Sequence, residues 1–182
     1  MIKKERGDIT KKIFLTLFAM GALGTCLVLP GLPMALALFM PTSKEERVSL
    51  LKRLYGLRRN GMLIFDKNEK GYRIGLTAKA NKQAQRYNLQ ELRLPRKKKW
   101  DGIWRMVTFD IPETKRGMRL AVSRKLKELG FFAYQKSIFI YPYDCKKEID
   151  FIRDYFRVRE NVKYLLLKDF EGSVRISKHF KL

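Results

Sequence analysis

Residues 43–76 decide the fold of the first half of the chain, and they read SKEERVSLLKRLYGLRRNGMLIFDKNEKGYRIGL. Ser43 and Glu46 form the Ser-x-x-Glu pattern of a helix capping box, and Asn60-Gly61 is typical of a helix end. The pattern therefore predicts a basic helix that begins at Ser43 and ends near Arg59. Its buried stripe is predicted at Val48, Leu51, Leu54 and Leu57.

The segment after this helix is typical of a β-hairpin. Residues 62–65 and 72–76 are short apolar runs that predict two strands, with a charged turn at residues 66–71 between them. Thr77 is a suitable N-cap for a further helix that continues to about Tyr87. Together with two apolar helices expected upstream, this order predicts a winged helix-turn-helix.

The upstream segment is an uncharged run of 28 residues from Ile13 to Met40. Pro30-Gly31-Leu32-Pro33 is a turn signal that divides the run into a helix over residues 13–29 and a shorter second piece. Two buried helices of a small domain would have this pattern. A membrane segment over residues 13–40 is the alternative, because about 20 apolar residues are enough to cross a bilayer. The sequence alone leaves both interpretations open.

The charge of the chain indicates a polyanionic partner. Its 182 residues carry a net charge of +22, and residues 41–99 contain seventeen bases and five acids. Duplex DNA is the first expectation for such a surface and an anionic membrane the second. One histidine, His179, and two widely separated cysteines argue against a Ser-His-Asp triad, a multi-histidine zinc site and a disulfide framework, so a cytoplasmic protein is expected.

The basic helix is expected to lie in the major groove, while the hairpin reaches a neighbouring phosphate or the minor groove. Arginine and lysine neutralise phosphate, and arginine can also bind guanine through two hydrogen bonds. The alternative is that these cations form only a solvated face of an amphipathic helix. The candidate DNA-binding residues are Lys44, Arg47, Lys52, Arg53, Arg58, Arg59, Lys67, Lys70 and Arg73.

The second half of the chain has a different pattern, and residues 94–99 are predicted to link it to a first domain of residues 1–93. Strands are predicted at 104–109, within 131–141 and at 162–167, with helices at 114–129 and 146–156. A last short strand is predicted at Ser173–Ser177. The fold class is therefore α+β, with a ferredoxin-like βαββαβ domain plus an extra strand at residues 100–182.

Three segments of this half carry a family resemblance. Residues 104–113 read WRMVTFDIPE, a basic helix from Arg119 ends at Gly130, and residues 135–139 read QKSIF. They resemble the Cas-two (Cas2) family of small CRISPR adaptation proteins and equally the central Cas-two-like domain of PaaX-type transcriptional repressors. Because minimal Cas-two proteins have no winged helix upstream, the resemblance favours a PaaX-like regulator. From the length of 182 residues, the helical C-terminal domain of full-length PaaX repressors is not expected here, and the sequence identifies no small-molecule effector.

The resemblance also implies a homodimer and one candidate for chemistry. In Cas-two proteins the aspartate at the end of the first strand faces its symmetry mate, which implies a Mg²⁺ ion between two Asp110 carboxylates and a nuclease reaction. Asp110 can equally be a turn or helix-cap residue. The strand at residues 173–177 is expected to extend the partner's sheet, and DNA binding is expected to need no cofactor.

Overall fold

The computed structural model describes residues 2–20, 27–95 and 99–182, with side chains from residue 8 onward. The chain is mixed α+β and divides into two units, Met1–Glu91 and Leu92–Leu182. Residues 96–98 of the predicted linker lie outside the described residues. The first unit contains, in chain order, α1 (Ile2–Ala19), β1 (Leu27–Leu29), α2 (Leu32–Ala37), α3 (Lys44–Arg59), β2 (Leu63–Asn68), β3 (Gly71–Leu76) and α4 (Ala78–Glu91).

The three strands of the first unit form an antiparallel sheet in the order β1-β3-β2. The predicted helix over residues 13–29 is wrong in its bounds, because α1 ends at Ala19 and Leu27–Leu29 form a strand. Leu27 and Leu29 pack against the core while Val28 points outward, which is the alternation of a half-buried strand. Residues 21–26 lie outside the described residues. In the described part of the chain, no helix is both long and apolar enough to cross a membrane.

Helix α3 begins with the predicted cap. The Ser43 hydroxyl accepts a hydrogen bond from the Glu46 amide at 3.1 Å, and the Glu46 carboxylate reaches back to the Thr42 amide at 2.7 Å. The predicted buried stripe is only partly correct, because the residues that α3 buries are Leu50, Leu54 and Leu57, and Val48 is 45% exposed. A spacing of three residues drifts around a helix, whereas the 4-then-3 spacing of the buried leucines keeps them on one face.

The second unit contains β4 (Trp104–Phe109), a short 3₁₀ helix (Glu113–Lys115), α5 (Arg116–Glu128), β5 (Phe132–Gln135), β6 (Ile138–Tyr141), α6 (Lys146–Tyr155), β7 (Val162–Leu167) and α7 (Ser173–Phe180). The four strands form an antiparallel sheet in the order β5-β6-β4-β7. The predicted βαββαβ succession is therefore present from Trp104 to Leu167.

The extra strand predicted at Ser173–Ser177 is wrong, because these residues begin helix α7. Ile176 is fully buried against Trp104 and Ile140 on one face of the sheet, while Val174 is 70% exposed. Two residues apart, these side chains would share a face in a strand but point about 200° apart in a helix. The helix covers the protein's own sheet. The prediction that this segment extends a partner's sheet is therefore also wrong.

Candidate nucleic-acid interface

The N-terminal end of α3 carries both acids and bases. Lys44, Glu45 and Arg47 are exposed in the first turn, where the helix dipole favours negative charge. Hydrogen bonds from Thr42 lower the pKa of Glu46, and hydrogen bonds at the cap lower that of Glu45. The carboxylates are thus held ionised by the cap, and Lys44 and Arg47 project from the same end of the helix.

The outward side of α3 forms one stripe along the helix. Val48, Lys52, Tyr55 and Arg59 follow one another at spacings of four, three and four residues, and all are exposed. At 100° per residue they fall within a sector about 60° wide, opposite the buried Leu50, Leu54 and Leu57. We call this set the outward stripe of α3. It combines two cations with two large apolar side chains.

The hairpin that follows α3 presents further cations. Strands β2 and β3 pair from Leu63–Leu76 to Asn68–Gly71, which leaves Glu69 and Lys70 as a two-residue tip. The Asn68 side chain accepts a hydrogen bond from the Lys70 amide at 3.1 Å. Lys67 and Lys70 are exposed, so the hairpin presents two cations to solvent. The strands are longer, and the turn shorter, than the sequence predicted.

Two of the predicted DNA-binding residues have partners within the first unit. The half-buried Arg53 faces away from the outward stripe and donates from Nε to the Thr10 hydroxyl of α1. Arg73 donates from Nε and Nη2 to the two carboxylate oxygens of Asp66 on β2, at 2.8 and 2.6 Å. These hydrogen bonds lower the pKa of Asp66 and offset the charge of Arg73. Lys44, Arg47, Lys52, Arg58, Arg59, Lys67 and Lys70 are exposed.

In the second unit, the end of β4 is held to the start of β7. The Asp110 amide donates to the Asn161 carbonyl, and the Asn161 side-chain amide donates to the Asp110 carbonyl, both at 2.9 Å. Ile111 is buried beside an exposed Pro112, and Glu113 pairs with Arg119 at 3.0 Å. The backbone at Asp110 is therefore fixed while its residue is exposed to solvent.

A comparison with protein families identifies this second unit. Residues 97–175 match the family model described as "PaaX protein central Cas2-like domain". Residues 97–175 form a PaaX central Cas2-like domain. A search of curated proteins found no match. The four-stranded antiparallel sheet and its two connecting helices lie within this Cas2-like domain, and the resemblance of the segments around Asp110 and Gln135 is confirmed.

Asp110 is the residue for which the sequence predicted a metal-binding role. Within residues 2–20, 27–95 and 99–182, no group of three or more His, Cys, Asp or Glu side chains comes together to hold a metal ion. In Cas-two proteins, by resemblance, the second carboxylate comes from the partner chain. The proposed Mg²⁺ role of Asp110 stays a prediction.

The sequence did not predict the exposure of two residues on the outward stripe. It assigned Val48 to the buried stripe of α3 and did not single out Tyr55, yet both project from the outward stripe. The available signal was the seven-residue spacing of these residues, which returns a helix to nearly the same face after two turns. The three-residue spacing from Val48 to Leu57 instead favoured placing Val48 on the buried face.

Proposed function

We propose that this protein is a DNA-binding transcriptional regulator of PaaX type. In this proposal the first unit is a winged helix-turn-helix that binds DNA. The Cas2-like domain has a ferredoxin-like fold and joins two chains into a dimer. The protein acts in the cytoplasm. The observation that carries the proposal is the sequence of elements α1-β1-α2-α3-β2-β3 with the strand order β1-β3-β2, located ahead of a PaaX central domain. In this arrangement α3 follows a short helix and turn, as a recognition helix does.

The charges of the first unit support duplex DNA as the partner. Five exposed cations project from α3 and two more from the hairpin, at Lys44, Arg47, Lys52, Arg58, Arg59, Lys67 and Lys70. Cations that line a helix and an adjacent hairpin fit the major groove and a flanking phosphate of one duplex. Arg53 and Arg73 act as structural residues of the unit in this proposal, since α1 and Asp66 engage their guanidinium groups.

Fluorescence anisotropy with a duplex selected from a random pool tests the proposal. Lys52→Gln with Arg59→Gln should reduce the preference for the selected duplex over an unrelated one, because both residues lie on the outward stripe. Lys67→Gln with Lys70→Gln should weaken binding to both duplexes equally, because the hairpin contacts phosphate. Lys127→Gln with Lys147→Gln, two exposed lysines of the Cas2-like domain, is the charge-matched control. Equal losses in all three double variants would contradict the proposal.

Dimerisation is proposed to use the Cas2-like sheet. Strand β7 lies at one edge of that sheet and carries Leu165 and Leu166, which are 43% and 61% exposed. An edge strand can pair with a strand of a second chain, and exposed leucines add apolar surface for that contact. Light scattering should give the mass of two chains for the parent protein and for Leu120→Lys, an exposed leucine of α5, but the mass of one chain for Leu166→Lys. A monomeric parent would contradict the dimer.

A Mg²⁺-dependent nuclease is the alternative function, and the exposed Asp110 on a fixed backbone is the observation that favours it. Two such carboxylates brought together by a dimer would offer hard oxygen ligands to Mg²⁺. The regulator proposal expects DNA binding that needs no divalent ion and survives Asp110→Asn. Cleavage of duplex DNA that requires Mg²⁺ and is abolished by Asp110→Asn would favour the nuclease.

A further inference from the structure

The outward stripe of α3 contains two large side chains, an aliphatic and an aromatic one, that lie outside the buried face of the helix. Val48 and Tyr55 are 45% and 48% exposed, although the helix has a separate buried face. Lys52 lies between them and Arg59 follows one turn after Tyr55. A surface that only bound phosphate would gain nothing from these two positions. Their presence among cations indicates a partner that is anionic and also carries small apolar groups.

Both side chains have restricted conformations, Tyr55 through a packing contact and Val48 through its own branching. The Tyr55 ring packs edge-on against Phe65 of β2, with ring centroids 5.3 Å apart and an interplanar angle of 68°. Phe65 is itself 1% exposed, so the Tyr55 ring rests on the core of the unit. Val48 is β-branched and has little rotamer freedom in a helix. The apolar surface that these residues present is therefore ordered before any partner binds.

We propose that Val48 and Tyr55 each contact the 5-methyl group of a thymine in the major groove. This inference rests on the proposed DNA-binding function and specifies what α3 recognises. Among the base edges exposed in the major groove, the thymine methyl is the apolar feature, and apolar side chains contact it directly. Lys52 and Arg59 on the same stripe supply the attraction to the surrounding phosphates and guanines.

The spacing of the two residues sets the spacing of the thymines. Seven residues of α-helix extend about 10.5 Å, and the outer recognition residues of a zinc-finger helix, which lie about six residues apart, span three successive bases. The two methyl groups should therefore lie about two or three base pairs apart. Glu45 lies beside Val48 on the outward surface, and its carboxylate repels phosphate. That repulsion favours Val48 lying over base edges rather than against the backbone.

Replacement of thymine by uracil in the selected duplex tests the inference, because it removes the methyl group and leaves base pairing intact. For the full chain, substitution at two positions about two or three base pairs apart should each raise the dissociation constant about fourfold, the effect of exposing one methyl group. Val48→Ala should abolish the effect at one position. Tyr55→Ser should abolish it at the other, whereas Tyr55→Phe, which keeps the ring, should retain it.

Val28→Ala serves as the matched control, since Val28 is 47% exposed and belongs to β1 rather than to α3, and this variant should leave both uracil effects unchanged. Should Tyr55→Ser weaken folding, Val48→Ala alone still decides, because Val48 is exposed. Specific binding to a duplex with no uracil-sensitive position, or sensitivity that persists in Val48→Ala and Tyr55→Ser, would overturn the inference and leave the proposed function standing. Failure to select any preferred duplex would overturn the proposed function itself.

Discussion

At the scale of single residues, Gly71 shows how closely two strands of the first unit approach. Its φ is +125°, and a Cβ atom built there would lie 2.1 Å from the carbonyl oxygen of Leu29 on β1. Such a contact is far inside van der Waals distance, and the backbone conformation is one that residues with a side chain rarely adopt. Gly71 is the residue that lets the hairpin lie against β1.

Gly71→Ala should therefore destabilise the first unit by about 2–4 kcal/mol, because both the clash and the strained backbone must be relieved. Gly56→Ala is the matched control. Gly56 lies inside α3 with open space where a Cβ would be, and the substitution should stabilise the helix by about 0.5–1 kcal/mol. Thermal unfolding of both variants measures the difference. Equal melting temperatures for the two variants would contradict the close approach.

A second residue-scale feature is the buried Arg105 of the Cas2-like domain. Its side chain is 7% exposed and donates to both carboxylate oxygens of Asp101 at 2.6 Å and to the Pro142 carbonyl at 2.9 Å. It thus joins the segment before β4 to the segment after β6. The hydrogen bonds from Arg105 lower the pKa of Asp101 to about 2, below the value near 3.9 of an unfolded aspartate.

Because its folded pKa is depressed, Asp101 contributes stability that is present above about pH 4 and is lost as the pH falls towards 2. Asp101→Asn should remove this part of the acid sensitivity. At pH 7 it should lower the free energy of unfolding by about 1–2 kcal/mol, because Arg105 is left without its counter-charge. Solvent screening of the half-exposed Asp101 keeps this loss below that of a fully buried pair. Asp154→Asn, in an exposed pair with Arg159, should cost about 0.5 kcal/mol or less. Denaturant unfolding between pH 2 and 7 measures both, and equal losses at pH 7 would refute the role of Arg105.

Among the helices and strands, α7 has a short apolar pattern that is compatible with either a strand or a helix. The alternation of Val174 and Ile176 suits a strand, but the four-residue spacing of Ile176 and Phe180 suits a helix. Tertiary packing decides between them, because Ile176 and Phe180 both pack in the aromatic cluster around Trp104. The Asp169 side chain also accepts hydrogen bonds from the Phe170 amide at 2.8 Å and the Ser173 hydroxyl at 2.6 Å, which orders the turn before the helix.

Alanine substitution distinguishes the helix from the strand. Ile176→Ala should destabilise the Cas2-like domain by about 2–5 kcal/mol, because it leaves a cavity beside Trp104. Val174→Ala is expected to change stability by less than about 0.5 kcal/mol, because that side chain is mostly exposed. The free energy of unfolding in denaturant is the measurement. Comparable losses at both positions would indicate the strand, in which the two side chains share a face.

The elements with local signals were predictable from the sequence, and those that depend on long-range pairing were less so. Ser43, Glu46 and the Asn60-Gly61 stop define α3 through contacts within a few residues, so its bounds were predicted correctly. Strand β1 is three residues long and exists through its pairing with β3, which no local pattern in an apolar run reveals. The sequence also did not reveal that Arg53 and Arg73 have partners within the unit. Their partners, Thr10 and Asp66, become neighbours only after folding.

At the scale of the whole molecule, the net charge of +22 is more than solubility requires, and part of it is neutralised within the fold. Ion pairs within the Cas2-like domain, such as those of Asp150 with Lys146 and Arg153, offset cations of α6. On α3 and the hairpin, seven exposed cations remain available to a partner: Lys44, Arg47, Lys52, Arg58, Arg59, Lys67 and Lys70. We propose that these cations form the contact surface for duplex DNA.

The salt dependence of binding by the full chain tests that claim most directly. Each phosphate contact lowers the logarithm of the binding constant by about 0.9 per tenfold increase in salt concentration. If most of the seven cations contact phosphate, a plot of log binding constant against log salt concentration should have a slope of about −4 to −6. In the variant with both Lys67→Gln and Lys70→Gln, the slope should be shallower by about 2. A parent slope of −1 to −2, or a slope unchanged in that variant, would contradict a DNA contact surface on these cations.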